Sequence, residues 1–103
     1  MFNLHCTKKL LDRIKPEVQT PRHGSTRLGS WYATALFWKP QMALVVNERT
    51  LLPVLLPLAP AATLAQRFPR ALRDVLRALD MPAQFIDSEI SGMSEVVYAK
   101  IGR

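Results

Sequence analysis

The segment from Leu28 to Pro60 restricts the fold of this chain more than any other part of the sequence. It is the most apolar stretch, and a membrane-spanning helix would need about 20 consecutive apolar residues. Charged side chains and four prolines interrupt every window of that length. Between these interruptions, runs rich in aromatic and β-branched residues are typical of strands. The segment therefore predicts the middle of a small core and no membrane span.

Alternating or β-rich patterns predict five strands. They cover residues 1–6, 31–38, 42–46, 51–56 and 94–101. The turn sequence Lys39-Pro40-Gln41 joins the second and third strands into a hairpin. Pro53 has no backbone N–H to donate, so the strand that contains it should lie at a sheet edge or contain a bulge.

Periodicity and end signals predict three helices. They lie between Thr7 and Pro16, over 63–79 and over 82–91. Thr7 is a candidate N-cap, and Thr63 and Gln66 have the spacing of a capping box. A proline inside a helix costs ~3 kcal/mol, so the long helix should bend or begin at Pro69.

Together these elements predict a single α+β domain over residues 1–103. Its architecture is an antiparallel sheet of about five strands with one long helix and two short helices. A length of 103 residues and a 49% hydrophobic content suit one globular core. Residues 16–30 contain two prolines and two glycines without helical or strand periodicity, and predict a flexible basic loop.

The chain has a net charge of +6, and residues 1–49 hold eight basic and three acidic side chains. Such an excess favours an anionic partner, which is nucleic acid, a phosphate-bearing ligand or an acidic protein face. The lone Cys6 cannot form an intramolecular disulfide, and the first residues do not resemble a secretion signal, so a cytoplasmic location is expected. His5, Cys6 and His23 are too few and too irregularly spaced for a metal site, and no cofactor is expected.

Six residues form the candidate anion- or partner-binding set: Lys8, Lys9, Arg27, Trp31, Tyr32 and Glu48. The two lysines open a helix, where free N–H groups favour an anion, although a solvated basic turn is the alternative. Strand alternation sends one of Trp31 and Tyr32 into the core. The second face, with Tyr32, Thr34 and Trp38 on one side of the strand, is either exposed or covered by the loop or a partner. A covered face, or one that binds a partner or a second copy, is favoured over a surface for stacked bases.

No catalytic set is recognisable. His5 and Cys6 are adjacent in a strand, so their side chains point to opposite faces and cannot form a nucleophile–base pair. Glu48 lies in the Asn47–Thr50 turn without an acid–base companion, and a surface ion pair is the simpler role.

Three motifs resemble a bacterial family of small proteins known only as a domain of unknown function. They are CTKKLL from Cys6, LG-WYA from Leu28 and VNE-TLLPV from Val46. The resemblance covers most of the chain and implies a shared fold. The chain departs from the family pattern at two positions. Ser30 stands where members often have an acidic residue, and Thr34 stands where they often have an Asn. The polar segment with which members usually continue does not follow Ile101, so an activity completed by that segment would be missing.

The function therefore remains open between two classes. The first is a small basic interaction module that binds an acidic protein or nucleic acid. The alternative is a small enzyme acting on a phosphorylated or nucleotide substrate, with Lys8, Lys9, Tyr32 and Glu48 brought together. If the first two strands are neighbours, loop 16–30 folds back over the start of the first helix and forms a pocket with Lys8, Lys9 and Tyr32. Such a pocket suits a phosphate or carboxylate without requiring catalysis. The lack of a catalytic set favours the first class.

Overall fold

The computed structural model describes residues 1–101, and a five-stranded sheet forms its centre. The strands are β1 (Phe2–Cys6), β2 (Trp31–Leu36), β3 (Met42–Asn47), β4 (Pro53–Pro57) and β5 (Val96–Lys100). Their order across the sheet is β4-β3-β2-β1-β5. All five predicted strands are present, with ends that shift by at most two residues.

The sheet is mixed, so the prediction of an antiparallel sheet was wrong in this respect. Strand β1 runs parallel to both β2 and β5, whereas the β2–β3 and β3–β4 pairs are antiparallel. A short turn can only reverse the chain, but a long connection can return it in the same direction. A helix and a long loop separate β1 from β2, and strand alternation carries no information about that direction.

The three predicted helices are also present. They are α1 (Lys8–Ile14), α2 (Leu64–Ala78, after a 3₁₀ turn) and α3 (Ala83–Ser91). The Thr7 hydroxyl accepts a hydrogen bond from the Leu10 N–H at 3.4 Å, which confirms the predicted cap. Within residues 1–101, no helix is both long and apolar enough to cross a bilayer.

The start of α2 differs from the prediction. Thr63 makes no capping bond to the first turn; its hydroxyl donates to the Pro60 carbonyl at 3.1 Å and accepts from Arg67 Nε at 3.1 Å. The Arg67 guanidinium also donates to three backbone carbonyls that precede the helix. Arg67 therefore fixes the helix start, and α2 continues through Pro69 instead of beginning there.

One core lies between the sheet and the helices. Phe68 of α2 packs against Phe2 and against Trp31, with ring centroids 5.9 Å and 4.9 Å apart. Leu72 and Leu76 extend the same helical stripe and are buried. Burial of such side chains contributes roughly 1.5–3 kcal/mol each, so this layer supplies most of the driving force for folding.

Strand β4 lies at a sheet edge, as Pro53 predicts. Just beyond the end of β4, the Leu58 N–H donates to the Gln41 carbonyl, so the backbone groups of Leu58 point towards β3. Because this direction alternates along a strand, the N–H and C=O groups of every second residue of β4 point away from the sheet. The outward backbone groups belong to Pro53, Leu55 and Pro57. Because two of these three residues have no N–H, the edge is a poor template for a further strand.

The predicted loop over residues 16–30 forms no helix and no strand. Val18 makes an isolated bridge to Tyr98 of β5, and the Asn3 carboxamide accepts from the Arg22 N–H at 3.1 Å. Asn3 follows Phe2 in β1, so the two side chains lie on opposite faces of the sheet, and the Phe2 ring packs on α2. The loop therefore passes around the β5 edge and lies across β1 on the face opposite the helices. Its flexibility stays a prediction.

Candidate functional site

One face of the sheet is left open over β2, β3 and β4. Within residues 1–101, no helix or strand covers it, and alternate residues of these strands are buried on one side and accessible on the other. We call the accessible set the open face: Tyr32, Thr34, Leu36, Met42, Leu44, Val46, Pro53, Leu55 and Pro57. Leu44 lies near its centre, paired with Thr34 on one side and Leu55 on the other.

The open face is mainly aliphatic. Leu55 is 50% exposed and Tyr32 is 38% exposed. The predicted aromatic face is present only in part, because Trp38, which is 58% exposed, lies beyond the end of β2. Pro53 and Pro57 are also exposed, whereas Leu36, Met42, Leu44 and Val46 are partly buried. Apolar surface that stays accessible on a folded domain is a candidate interaction site.

Tyr32 stacks on His5 of the neighbouring strand. Their ring centroids are 4.6 Å apart and the ring planes differ by 11°. The parallel register pairs the two residues directly, which explains the stack. Partial burial lowers the pKa of His5 below its usual value, and the nearby Glu48 carboxylate opposes that shift. The imidazole is therefore mainly neutral at pH 7.

Glu48 joins the end of β3 to the start of β2 through two hydrogen bonds. Its carboxylate accepts from the Ser30 N–H at 3.1 Å, and its own N–H donates to the Ser30 carbonyl at 3.1 Å. The preceding Asn47 is fully buried and holds the turn. Its side-chain nitrogen donates to the Leu28 carbonyl, and its side-chain oxygen accepts from the Arg49 N–H and from the N–H and hydroxyl of Thr50.

Arg27 is held by a residue that sequence analysis missed. Glu89 of α3 is buried, and its carboxylate accepts from the N–H groups of Arg27 at 2.6 Å and Leu28 at 3.2 Å. The sequence does contain a clue to this role, because Glu89 lies three residues after Ile86 and so falls on the apolar side of α3. A carboxylate at a core position needs partners, and these are backbone donors of the loop.

A surface cleft of about 290 Å³ lies between the loop and the β3–β4 turn. Its charged or titratable lining consists of Arg22, His23, Arg27, Glu48 and Arg49. Asn3 and Ser30 also line it and precede the paired His5 and Tyr32 by two residues. Two residues of strand span ~7 Å, so the cleft adjoins the His5–Tyr32 stack.

The remaining candidates lie elsewhere. Lys8 and Lys9 are exposed at the start of α1, and the Lys9 ammonium lies 5.9 Å from the Phe37 ring centre. Trp31 is fully buried against Phe68, and its indole N–H has no acceptor among the described residues. In the folded domain Trp31 therefore supports the core and is inaccessible to a partner.

The fold brings Tyr32, Glu48 and Arg27 to one end of the open face. None of the contacts described for residues 1–101 joins Lys8 or Lys9 to this group, since the loop crosses β1 near Asn3 and not the start of α1. Cys6 is buried, and burial raises the pKa of its thiol to about 12, so it is a poor nucleophile. Among residues 1–101 no group of three His, Cys, Asp or Glu side chains is arranged to hold a metal.

Comparison with known protein families gives a match over most of the chain. The model of a family described as "Domain of unknown function (DUF6933)" matches residues 3–102. No curated protein and no solved structure matches significantly. The sequence predicted a family known only as a domain of unknown function, and the match confirms this part of the prediction. Since the family model covers nearly the whole chain, the protein belongs to this family of unknown function.

Proposed function

We propose that this domain is a cytoplasmic protein-interaction module that docks an acidic protein through the open face. The observation that carries the proposal is the uncovered, mainly aliphatic sheet surface centred on Leu44. Water removal from such a surface contributes roughly 25 cal/mol per Å² of apolar area. A typical stable interface covers ~800 Å² on each partner, an area comparable with one face of a small sheet.

The chemistry of the open face favours a protein partner over nucleic acid. Proteins that bind single strands use exposed aromatic rings on which bases stack. Among the described residues, Tyr32 is the sole aromatic side chain of the open face, and one side of its ring lies against His5. Leucine, valine, methionine and proline side chains pack against other apolar side chains but give bases no aromatic platform.

The charge around the open face favours an acidic partner. The turn after β2 carries Lys39 and the turn after β3 carries Arg49, so both ends of the central hairpin have a basic residue. The chain as a whole carries +6. Complementary charge raises the rate of encounter and fixes orientation, while the apolar centre supplies affinity. The single Cys6 supports a cytoplasmic setting because it needs no oxidising compartment.

A photo-crosslinking amino acid placed at Leu55 tests the proposal. The matched control carries the same amino acid at Leu79, which is similarly exposed at the end of α2. After nuclease treatment of a cell lysate, we expect an acidic protein to be crosslinked from position 55 but not from position 79. Adding Leu44→Asp to the position-55 protein should abolish the adduct.

Three results would overturn the proposal. A crosslinked product that disappears with nuclease would identify nucleic acid instead. A product of twice the chain mass would identify a second copy. Equal crosslinking from the two positions, or none from either, would show that the open face has no selective partner.

A further inference from the structure

We propose that the cleft between loop 16–30 and the β3–β4 turn binds the phosphate monoester group of a small molecule. This site is separate from the centre of the open face. The proposal is independent of a protein partner, because it concerns a different set of side chains and can be tested on the purified protein.

The cleft has a strong excess of positive charge. Arg22, Arg27 and Arg49 line a volume of about 290 Å³ together with Glu48, the only acidic residue of its lining. The Glu48 carboxylate is already bonded to the Ser30 N–H. The local balance therefore favours a ligand with two negative charges.

The guanidinium groups have unused donors. Arg49 spends one nitrogen on the Arg27 carbonyl, at 2.9 Å, which fixes its guanidinium at the wall of the cleft. Within residues 1–101, the side chains of Arg22 and Arg27 donate no described hydrogen bond. Planar guanidinium groups match the spacing of phosphate oxygens and bind them in pairs.

The backbone around the cleft is held in place before a ligand arrives. Glu89 fixes the N–H groups of Arg27 and Leu28 on the loop side, and Asn47 fixes the turn on the other side. Gly29 lies between them with a φ of 78°, which L-residues with side chains rarely adopt. A side chain at Gly29 would begin only 3.4 Å from both Arg49 Nε and the Glu48 carboxylate. Preformed walls reduce the entropy cost of binding.

The size and charge of the cleft select the ligand class. A monoester phosphate carries up to two charges and three free oxygens, which three guanidinium groups can share. A phosphodiester carries one charge and is substituted on both sides. The cleft should therefore prefer a terminal phosphate over the internal phosphates of a nucleic acid chain.

Titrations of ¹⁵N-labelled protein with methyl phosphate and with dimethyl phosphate, at constant ionic strength, test the site. We expect methyl phosphate to give saturable shifts of the Gly24, Gly29 and Ser30 amide signals. Its affinity should exceed that of dimethyl phosphate at least tenfold. Equal affinities, or shifts that do not saturate, would overturn the proposal.

A pair of double variants separates the site from general surface charge. Arg22→Gln with Arg27→Gln should weaken methyl phosphate binding at least tenfold. Arg70→Gln with Arg77→Gln removes the same charge from the exposed side of α2 and should change binding less than twofold. Equal weakening in the two double variants would show that only net charge matters and would refute the site. Dispersed amide spectra of both variants would verify that each remains folded, and the unmodified protein's ester preference tests the site without any substitution.

Discussion

Replacing Asn47 by Asp should destabilise the domain strongly, although the two side chains have nearly the same shape. Asn47 is fully buried and uses both ends of its amide group. Its oxygen accepts from the N–H groups of Arg49 and Thr50 and from the Thr50 hydroxyl, at 3.0–3.1 Å. Its nitrogen donates to the Leu28 and Ser30 carbonyls, at 2.9 and 3.4 Å. An aspartate keeps the accepting half but turns a second oxygen towards these two carbonyls.

The cost follows from the lost donors. A buried acceptor left without its partner costs about 1–3 kcal/mol, so the shorter bond to Leu28 and the weaker one to Ser30 together give about 3 kcal/mol. For a domain of this size, each kcal/mol corresponds to roughly 4–8 °C in melting temperature. Asn47→Asp should therefore lower the melting temperature by about 15 °C at pH 7.

The pH dependence provides a second check on Asn47→Asp. A carboxyl group buried beside two carbonyl oxygens has its pKa raised in the folded state. The folded protein then holds the proton more tightly than the unfolded chain, so the variant loses stability as pH rises from about 4 towards 7. Thermal melts at both pH values should show a larger deficit at pH 7.

Gln84→Glu is the control for this substitution, because it makes the same amide-to-carboxyl change at an exposed position of α3. It should alter the free energy of unfolding by less than about 0.5 kcal/mol. The argument fails if Asn47→Asp melts within about 3 °C of the unmodified protein, a shift that corresponds to less than 1 kcal/mol.

Three further outcomes are expected. Glu89→Gln should remove one of the two charge-assisted hydrogen bonds from the loop to this side chain and lower the free energy of unfolding in urea by about 2 kcal/mol. Hydrogen exchange at the Arg27 and Leu28 amides should become faster, and unchanged exchange would argue against these hydrogen bonds. The thiol of Cys6, with a pKa raised to about 12, should resist alkylation at pH 8 until the protein unfolds. Since the folded pKa exceeds the unfolded one, its contribution to stability should decline as pH rises above 9, and a Cys6→Ala variant should lack that decline. The pKa of His5 is lowered in the folded protein, so the unfolded chain takes up a proton on this residue at a higher pH than the folded protein does. The free energy of unfolding should therefore fall as pH drops below 6.5. A His5→Gln variant with the same pH profile would contradict this.

Local patterns located the five strands and the three α-helices found in residues 1–101, because strand alternation and helical periodicity are properties of neighbouring residues. They did not give the direction of β1 relative to β2, which depends on how a 24-residue connection passes over the sheet. They also misplaced the role of Thr63. Its spacing to Gln66 fits a capping box, but the Arg67 guanidinium competes for the same hydroxyl from one turn away.

The candidate site could be predicted only where a side chain acts from its own strand. Alternation put Trp31 and Tyr32 on opposite faces of the strand, and the structure shows that Trp31 is the buried one. The link between Glu89 and the loop joins residues about 60 positions apart, and no local pattern reports such a contact. A pocket that contains Lys8, Lys9 and Tyr32 requires loop 16–30 to cover the start of α1. The Asn3 side chain instead holds the loop across β1.

The residues that carried the family resemblance and the residues that carry the proposed interaction are largely different. Cys6 and Trp31 are buried, and Asn47 holds the β3–β4 turn, so three of the motif residues maintain the fold. Leu44 lies outside the three motifs, on the face that the core does not use. Substitution there removes little from the core, whereas substitution of a motif residue removes packing or buried hydrogen bonds. A polar residue at Leu44 should therefore abolish partner binding without lowering the melting temperature by more than a few degrees, and this separation allows the interaction to be tested on a folded protein.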